Sequence, residues 1–545
     1  MLCRLQMIST ECSRLRFSMA AVATMMALVV TAPSLGTASR TYDVVVYGGT
    51  ASGVIAAVAA AREGLHVALL EPGRHLGGMV SGGLGWTDHG RKEVIGGMSL
   101  EFFQRVGRHY GEAITWYFEP HVAEQVFQEM VKEAKVNVFL DHRLRGKRGV
   151  QKRVTKIIEI VTENGDSFRG AIFIDCSYEG DLMAQAGVQY TWGREGIAQY
   201  NESLAGVRDH TPKHQFTVSI WPYDPNHKLL PEIYQGAKGE VGAADKKVQA
   251  YNFRLCMTDN EPNRVPFPKP ATYDPKRYEL LAQMLKAMTE KNGRAPGMNE
   301  IMKPDPLPHR KTDTNNNGPF STDYIGGSWS YPEADYQTRA RIWQEHKDYV
   351  AGFLYFLAND PSVPADLQKE VSRWGLAKDE FTDTENWPRQ LYLREARRMV
   401  GGFVMTQKDI QTELIKEDAI GMGSYNSDSH NVQRVVTSDG SAVENEGDMQ
   451  VPVHPYQIPY RIIVPKRQET TNLLVAVCFS ASHVAYSTLR MEPQYMIIGQ
   501  AAGMAASIAI ENKTTVQNFD AKVLVEKLRQ QKAVLAINTA LPNGD

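Results

Sequence analysis

Residues 41–73 read TYDVVVYGGTASGVIAAVAAAREGLHVALLEPG. The run 42–47 is short, apolar and β-branched, and predicts a buried parallel strand. Gly48-Gly49-Thr50-Ala51-Ser52-Gly53 follows as a turn. Residues 54–63 are alanine-rich and predict a helix, which Gly64 ends as a C′ glycine would. Residues 66–70 predict a second strand, with Glu71 at its carboxyl end. Gly48 permits a sharp exit from the first strand, and Gly53 lets the helix pack close to the sheet. The helix N-terminus offers unpaired N–H groups and a positive dipole end to a pyrophosphate. Glu71 is placed to accept hydrogen bonds from a ribose diol, which favours a free 2′-hydroxyl over a 2′-phosphate. The second glycine of this fingerprint is replaced by Thr50, whose hydroxyl either narrows the approach of a phosphate or donates to it. The plain alternative is an α/β turn with no nucleotide. A glycine turn flanked by a strand, an alanine-rich helix and a terminal acid argues against it.

Glycine stays dense beyond the second strand, in Gly73-Arg74-His75-Leu76-Gly77-Gly78-Met79 and in Ser81-Gly82-Gly83-Leu84-Gly85. Backbone packed that tightly suits a flat, extended ligand. A simple nicotinamide domain would run into its next helix here, so the segment points to FAD. Three further blocks matter: Ala171-Ile172-Phe173-Ile174-Asp175-Cys176-Ser177-Tyr178-Glu179-Gly180-Asp181-Leu182; Arg394-Glu395-Ala396-Arg397-Arg398 with Gly401-Gly402; and Ser480-Ala481-Ser482-His483, Arg490-Met491-Glu492-Pro493 and Gly499-Gln500-Ala501-Ala502-Gly503. With them the chain resembles the FAD-dependent oxidoreductases of the glutathione-reductase-2 type, a grouping that takes in heterodisulfide reductase-like proteins.

The resemblance implies an α/β fold: a Rossmann-type FAD-binding domain with a β-meander insertion and an interleaved α+β substrate or cap region. It implies cofactor contacts from Gly48, Gly49, Thr50, Ser52, Gly53, Glu71, Arg74, Gly77, Gly78, Met79, Asp175, Gly180, Asp181, Arg490 and Gln500. Residues 472–477 predict a further buried strand, and 494–510 a helix with small residues along it. The start of that helix, near 490–493, would point at the pyrimidine edge of the flavin. A positive helix end there stabilises negative charge on the reduced ring, and Arg490 would be the cation at that edge. A merely well-packed Ala/Gly helix is the alternative.

Between these blocks, 96–107 and 119–133 predict helices and 136–140 a strand. Residues 154–162 and 167–174 predict strands joined through Asn164-Gly165, a hairpin signal. From 192 to 459 proline and aromatic residues increase. The expected division is a signal peptide at 1–38, the first part of the FAD-binding domain at 41–191, the substrate or cap region at 192–459, the C-terminal part of the FAD domain at 460–515, and a helix (519–533) and tail at 516–545. Arg4, Arg14 and Arg16 precede the apolar run 19–32, and small residues follow through Ala38. That is the pattern of a secretory signal cleaved after Ala38, and an uncleaved anchor is its alternative. The run falls short of the roughly 20 residues that span a bilayer, so no stable span is expected once the signal is removed. The mature protein is expected in the periplasm or outside the cell.

Lys and Arg number 60 against 62 Asp and Glu, a net charge of −2 that argues against a nucleic-acid partner. The five cysteines show no CxxC spacing, so neither zinc nor an iron–sulfur cluster is expected. Asp313-Thr314-Asn315-Asn316-Asn317-Gly318 matches half of a calcium loop but has Tyr324 at the twelfth position. It reads better as an Asn-rich turn lining the substrate pocket, and no metal is expected.

Flavin oxidation of an alcohol or amine requires a base near N5 and a cation near N1 and O2. His483, in Ser-Ala-Ser-His just past a predicted strand, is the first candidate. His430, on a predicted loop after Gly421 to Gly423, is the second. Each has a plain alternative, as a backbone-bonded or a solvated histidine. Arg394, Arg397 and Arg398 are expected on a helix, where Arg394 and Arg398 share a face. They would clamp a carboxylate or a polar sugar face, or serve as structural ion-pair partners. His75 is a remote option for covalent flavin. No second glycine fingerprint marks an NAD(P)H site. The expected partners are a small-molecule substrate and an external electron carrier or oxygen. The expected activity is a dehydrogenase or oxidase of a small polar molecule such as a sugar or sugar acid. Two alternatives stay open: a flavin-dependent C=C reductase of a carboxylate, and a non-enzymatic or polysaccharide-related protein with a vestigial FAD fold.

Overall fold

The computed structural model describes residues 39–537. The expected signal peptide at 1–38 lies outside the described residues. The central sheet begins with β1 (Ser39–Tyr47), α1 (Ala51–Arg62) and β2 (Val67–Leu70). Strands β3 (Asn137–Phe139), β4 (Val150–Arg153), β5 (Lys156–Val161) and β6 (Ser167–Asp175) complete it in the order β3-β2-β1-β6-β5-β4. The β3, β2, β1 and β6 pairings are parallel, whereas β4, β5 and β6 run antiparallel as a meander. Strand β6 is shared along its length. Its first half pairs with β5, and its second half takes β7 (Leu473–Val475) in parallel. The chain thus returns from its far end into the central sheet.

Helix α1 is buried along nearly its whole length because it is sandwiched. The sheet lies on one side. On the other lies α5 (Glu492–Glu511), which follows α2 (Gly97–His109), α3 (Pro120–Glu133) and α4 (Tyr336–Asn359) in chain order. The two helices touch backbone to backbone. A Cβ at Gly499 would stand 2.3 Å from the Ser52 carbonyl oxygen, and one at Gly53 only 1.8 Å from that of Gly48. The small-residue run of α5 is therefore a packing requirement.

The 192–459 stretch carries a separate antiparallel sheet, with strands Met302–Leu307, Lys311–Asn316, Met257–Thr258, Gly375–Ala377 and Arg264–Val265 in that order. Two expectations are corrected here. The Asn-rich segment is no turn: it is the largely buried strand Lys311–Asn316, paired residue by residue with Met302–Leu307. The arginine segment is no helix either. Residues 391–397 are irregular, and Arg398–Met399 forms a two-residue strand against Tyr190–Thr191. Buried acids from distant segments hold its guanidiniums, as described below, so the chain follows them instead of closing helical hydrogen bonds. The tail helix runs over Ala521–Gln530 and buries Leu524, Val525 and Leu528. Among the described residues no helix is long and apolar enough to cross a membrane.

Candidate cofactor and active site

The carboxyl ends of β1, β2 and β6 open onto a cavity of about 410 Å³, within the usual range of small-molecule sites. Gly48, Thr50, Glu71, Arg74, Gly78 and Asp181 all line it. Its roof is α4, through Tyr336, Arg339 and Trp343. Arg339 Nη1 pairs with Asp181 Oδ2 at 2.7 Å, and Arg397 Nη1 with Asp181 Oδ1 at 2.7 Å. Burial pushes the Asp181 carboxyl up, but the two guanidiniums outweigh it and hold the group below the usual carboxylate range.

Thr50 is the N-cap of α1. Its Oγ1 accepts the Gly53 N–H at 3.2 Å, and its hydroxyl donates to the Cys176 carbonyl at 2.8 Å. That proton is thus already engaged. The first-turn N–H groups of Ala51 and Ser52 have no intrahelical carbonyl to bond. Glu71 accepts the Gly49 N–H at 2.7 Å and the Gly73 N–H at 2.6 Å. Burial pushes its carboxyl up to about 7 against the pull of those two N–H groups.

Other expected cofactor residues do not line this cavity. Ser52 Oγ is buried without a partner among the described residues. The Gly77 N–H donates to the Gly49 carbonyl at 2.7 Å, and the Met79 N–H to the Tyr178 hydroxyl at 2.9 Å. Asp175 accepts the Ser177 and Met183 N–H groups and so holds the turn that contains Gly180. Gln500 bonds the Met98 N–H at 2.9 Å and Gln531 at 3.0 Å, joining α5 to α2 and the tail. His75 lines the cavity, but Glu124 and Asp383 hold its two ring nitrogens at 2.7 and 2.8 Å.

A cleft with only about 10 Å³ of free volume lies at the start of α5, lined by Val80, Leu84, Asp88, Tyr392, Met491 and Glu492. The turn 78–84 is a wall of both spaces: Gly78 and Ser81 face the cavity, Val80 and Leu84 the cleft. Arg490 donates to the Asp428 carbonyl at 2.7 Å and reaches the Tyr392 hydroxyl at 3.4 Å.

His430 directly follows the short strand Ser427–Ser429, which contains the Asp428 that Arg490 bonds. Its Nδ1 is 2.7 Å from Asp323 Oδ2, and Arg394 donates to Asp323 Oδ1 at 2.9 Å. Burial raises the Asp323 carboxyl, yet Arg394 and His430 bring it down to about 2. Burial and then Arg394 lower the pKa of His430. His430 Nε2 lies 3.8 Å from Asp428 Oδ1, beyond hydrogen-bond reach.

His483 sits in a second buried cluster. Its Nδ1 is 2.7 Å from Glu395 Oε2, and its backbone N–H donates to Glu195 at 2.9 Å. Arg398 pairs with both Glu195 and Glu395. Burial, then Arg398, push the imidazole down to about 3. Gln249 bridges the two clusters, donating to Glu395 at 3.1 Å and accepting the His430 N–H at 3.0 Å. Arg394 and Arg398 therefore point at different acids, and the expected carboxylate clamp is not formed.

The half-match to a calcium loop also finds another use, since Arg254 takes Asp313 at 2.6 Å. Glu119, His121 and Glu380 stand at metal-ligand spacing. The Lys311 ammonium lies 2.7 Å from each of the two glutamates and 2.8 Å from Asp379, and so supplies the positive charge itself.

The family model for FAD dependent oxidoreductases matches residues 43–530. The chain belongs to that family. It is an enzyme, and its cofactor is FAD. No curated protein matches the chain. Among solved structures it is similar to an L-proline dehydrogenase from P. horikoshii (14% identity, TM-score 0.24, 29% of this chain and 59% of that one). It is also similar to an L-amino acid deaminase from Proteus vulgaris (16%, 0.22, 29% and 53%). A third is a flavin-containing monooxygenase from Stenotrophomonas maltophilia (18%, 0.19, 30% and 44%). The chain thus spans about half the length of these solved chains.

The residues present fit FAD. Gly48 and Thr50 bring the positive end of α1 to the cavity, which suits its pyrophosphate, and Glu71 suits a ribose diol. Glycine at 48 keeps the turn tight, since a Cβ there would stand 2.7 Å from the Ser177 nitrogen. The aromatic and arginine residues of the roof had no sequence signal. They lie far along the chain, in a helix whose own pattern says nothing of a nucleotide.

Proposed function

We propose that this FAD-dependent oxidoreductase is an exported dehydrogenase or oxidase of a small polar organic molecule, with a sugar or sugar acid as the substrate class. The observation that carries the reading is the buried Asp323–His430 pair. Asp323 holds Nδ1 and so fixes the tautomer in which Nε2 is the free acceptor. FAD, when bound, supplies the hydride acceptor, its N5. His430 takes the substrate hydroxyl proton at Nε2, and ionised Asp323 stabilises the imidazolium that results. Arg490 links the Asp428 carbonyl, two residues before His430, to Tyr392, which lines the cleft. His483 is the poorer base, because a pKa near 3 lies far below neutral working pH.

The export reading rests on the 1–38 segment, and the external electron carrier or oxygen on the single glycine fingerprint. The test is anaerobic mixing of the purified holoenzyme with a panel of polyols, aldoses and sugar acids. Bleaching by a member of the panel, with no bleaching by NADH alone, is expected. Bleaching by NADH and by no panel member would overturn the reading. N-terminal sequencing of protein recovered outside the cytoplasm, starting near Ser39, checks the export.

A further inference from the structure

The stretch between Asp141 and Glu159 carries seven Lys or Arg residues and no acid, in a chain whose net charge is −2. It comprises the loop 143–149, β4 and the start of β5. Strand β4 is the edge of the central sheet, so the stretch runs along one border of that sheet. Arg145, Lys147 and Arg148 stand at one end of it, and Arg153 and Lys156 flank the β4–β5 turn at the other. All five are exposed, and none forms an ion pair among the described residues. The neighbouring acids are already taken: Glu163 by Arg143, Asp166 by Arg40 and His142, and Glu159 by Arg169. A charge or two suffices to guard an edge strand against pairing with another chain. Here the charges continue into the loop and round the turn, so edge protection does not account for them.

The turn adds an apolar tip. Val154, next to Arg153 and two residues before Lys156, is 90% exposed and has φ +57°, a costly conformation for a β-branched residue. That turn holds an isopropyl group out in water with a cation on either side. Single-stranded nucleic acid stacks on aromatic rings, and 143–158 contains none. A layer of anionic headgroups takes both features, since cations meet its phosphates and an apolar tip enters the acyl boundary. The connection to residues 1–38 also lies here. Ser39 Oγ donates to Glu159 Oε1 at 2.7 Å, three residues, or about 10 Å, along β5 from Lys156. The segment that carries the apolar run 19–32 therefore joins the fold beside the basic edge.

We propose that this edge is a docking surface for an anionic phospholipid membrane: its five unpaired cations lie against the headgroups, and the Val154 tip enters the interface between them. The contact is peripheral and reversible, and it depends on neither the substrate nor the reaction direction. Its attraction is electrostatic, so salt weakens it, and the apolar tip adds a part that salt does not screen.

The test is co-sedimentation of the purified holoenzyme with vesicles of phosphatidylcholine alone, or of phosphatidylcholine and phosphatidylglycerol in equal parts. Binding to the mixed vesicles only is expected at low salt, with release at about 1 M salt, where the screening length falls to about 3 Å. The triple variant Arg148→Gln, Arg153→Gln, Lys156→Gln is expected to bind about a hundredfold more weakly, at about fivefold per cation. Val154→Asn eases the backbone, because Asn tolerates the left-handed region. It is expected to weaken binding roughly tenfold. A control triple variant, Lys132→Gln, Lys276→Gln, Lys369→Gln, removes the same charge from exposed sites elsewhere and is expected to bind as wild type. An unchanged flavin spectrum shows that each variant folds, and the salt dependence and Val154→Asn carry the test if the first triple variant does not. Equal binding to both kinds of vesicle, or to neither, overturns the inference. So does a control variant that loses as much affinity as the first, which would reduce the effect to net charge. Binding to heparin but not to the mixed vesicles would assign the edge to a soluble polyanion and overturn the membrane assignment.

Discussion

His430 Nδ1 and Asp323 Oδ2 stand 2.7 Å apart in a buried site, and the other oxygen of that carboxylate is held by Arg394 at 2.9 Å. The carboxylate is thus clamped on one side and orients an imidazole on the other. Such an imidazole presents one defined nitrogen to a substrate. His430→Ala is expected to slow flavin reduction by roughly 10²–10⁴-fold, the usual worth of a positioned base, while FAD content and the visible spectrum stay unchanged. Stopped-flow reduction with saturating substrate checks this. An unchanged reduction rate would remove His430 from the chemistry.

Glu71 predicts a pH dependence of cofactor binding. Burial places its carboxyl near 7 in the free protein. A ribose diol donates its hydroxyl protons, so it prefers the ionised acceptor. The ionised fraction grows as pH rises through 7, and FAD affinity grows with it before levelling above about pH 8. Below pH 6 the affinity falls by about tenfold per unit. Titrations of the apoprotein with FAD from pH 5.5 to 8.5 measure the profile, and Glu71→Gln is expected to flatten it at the low-affinity end. A wild-type profile that is flat, or that rises toward acid pH, contradicts the assignment.

The turn from β1 into α1 was legible because every determinant is local. The glycines, the capping Thr50, the alanine run and Gly64 lie within one short stretch. The same holds for α5, whose small residues are spaced along one helix. The arginine segment misled for the opposite reason. Arg394 and Arg398 have helical spacing, but their conformation is set by Asp323, Glu195 and Glu395, two of which come from distant parts of the chain. The Asn-rich strand misled likewise. Asn and Asp ordinarily favour turns, and here the ladder with Met302–Leu307 and the Asp313–Arg254 pair override that preference. The roof of the cavity was invisible because only the folded chain brings α4 over the strand ends.

Arg398 separates a structural role from a substrate clamp. Its guanidinium is fully buried and neutralises Glu195 and Glu395, while also donating to the Gly193 carbonyl at 2.8 Å. Arg398→Met strands two carboxylates in a low-dielectric site. The expected cost is about 3–5 kcal/mol of folding stability, the usual result of removing one partner of a buried pair. Urea unfolding of the holoenzyme checks it. A variant of unchanged stability with a raised KM would restore the clamp reading.

Arg339 predicts how the cofactor is retained. It projects from α4 and pairs with Asp181 through both of its Nη atoms, at 2.7 and 3.1 Å. Asp181 is the first residue of the short helix Asp181–Gln185 after β6, and both residues line the cavity. The pair therefore latches the roof to the floor, with Arg397 and the Tyr331–Glu179 hydrogen bond as secondary ties. Arg339→Met removes the bidentate tie but leaves Arg397 to neutralise Asp181, so the fold has a remaining counter-charge. Opening of the roof then becomes easier by at least about 1.4 kcal/mol, which is a factor of ten in the open population. FAD release, followed by the rise in free flavin fluorescence after dilution, is expected to speed up by about that factor, with little change in the rate of flavin reduction by substrate. A release rate equal to wild type would mean that FAD leaves by a path that does not lift α4.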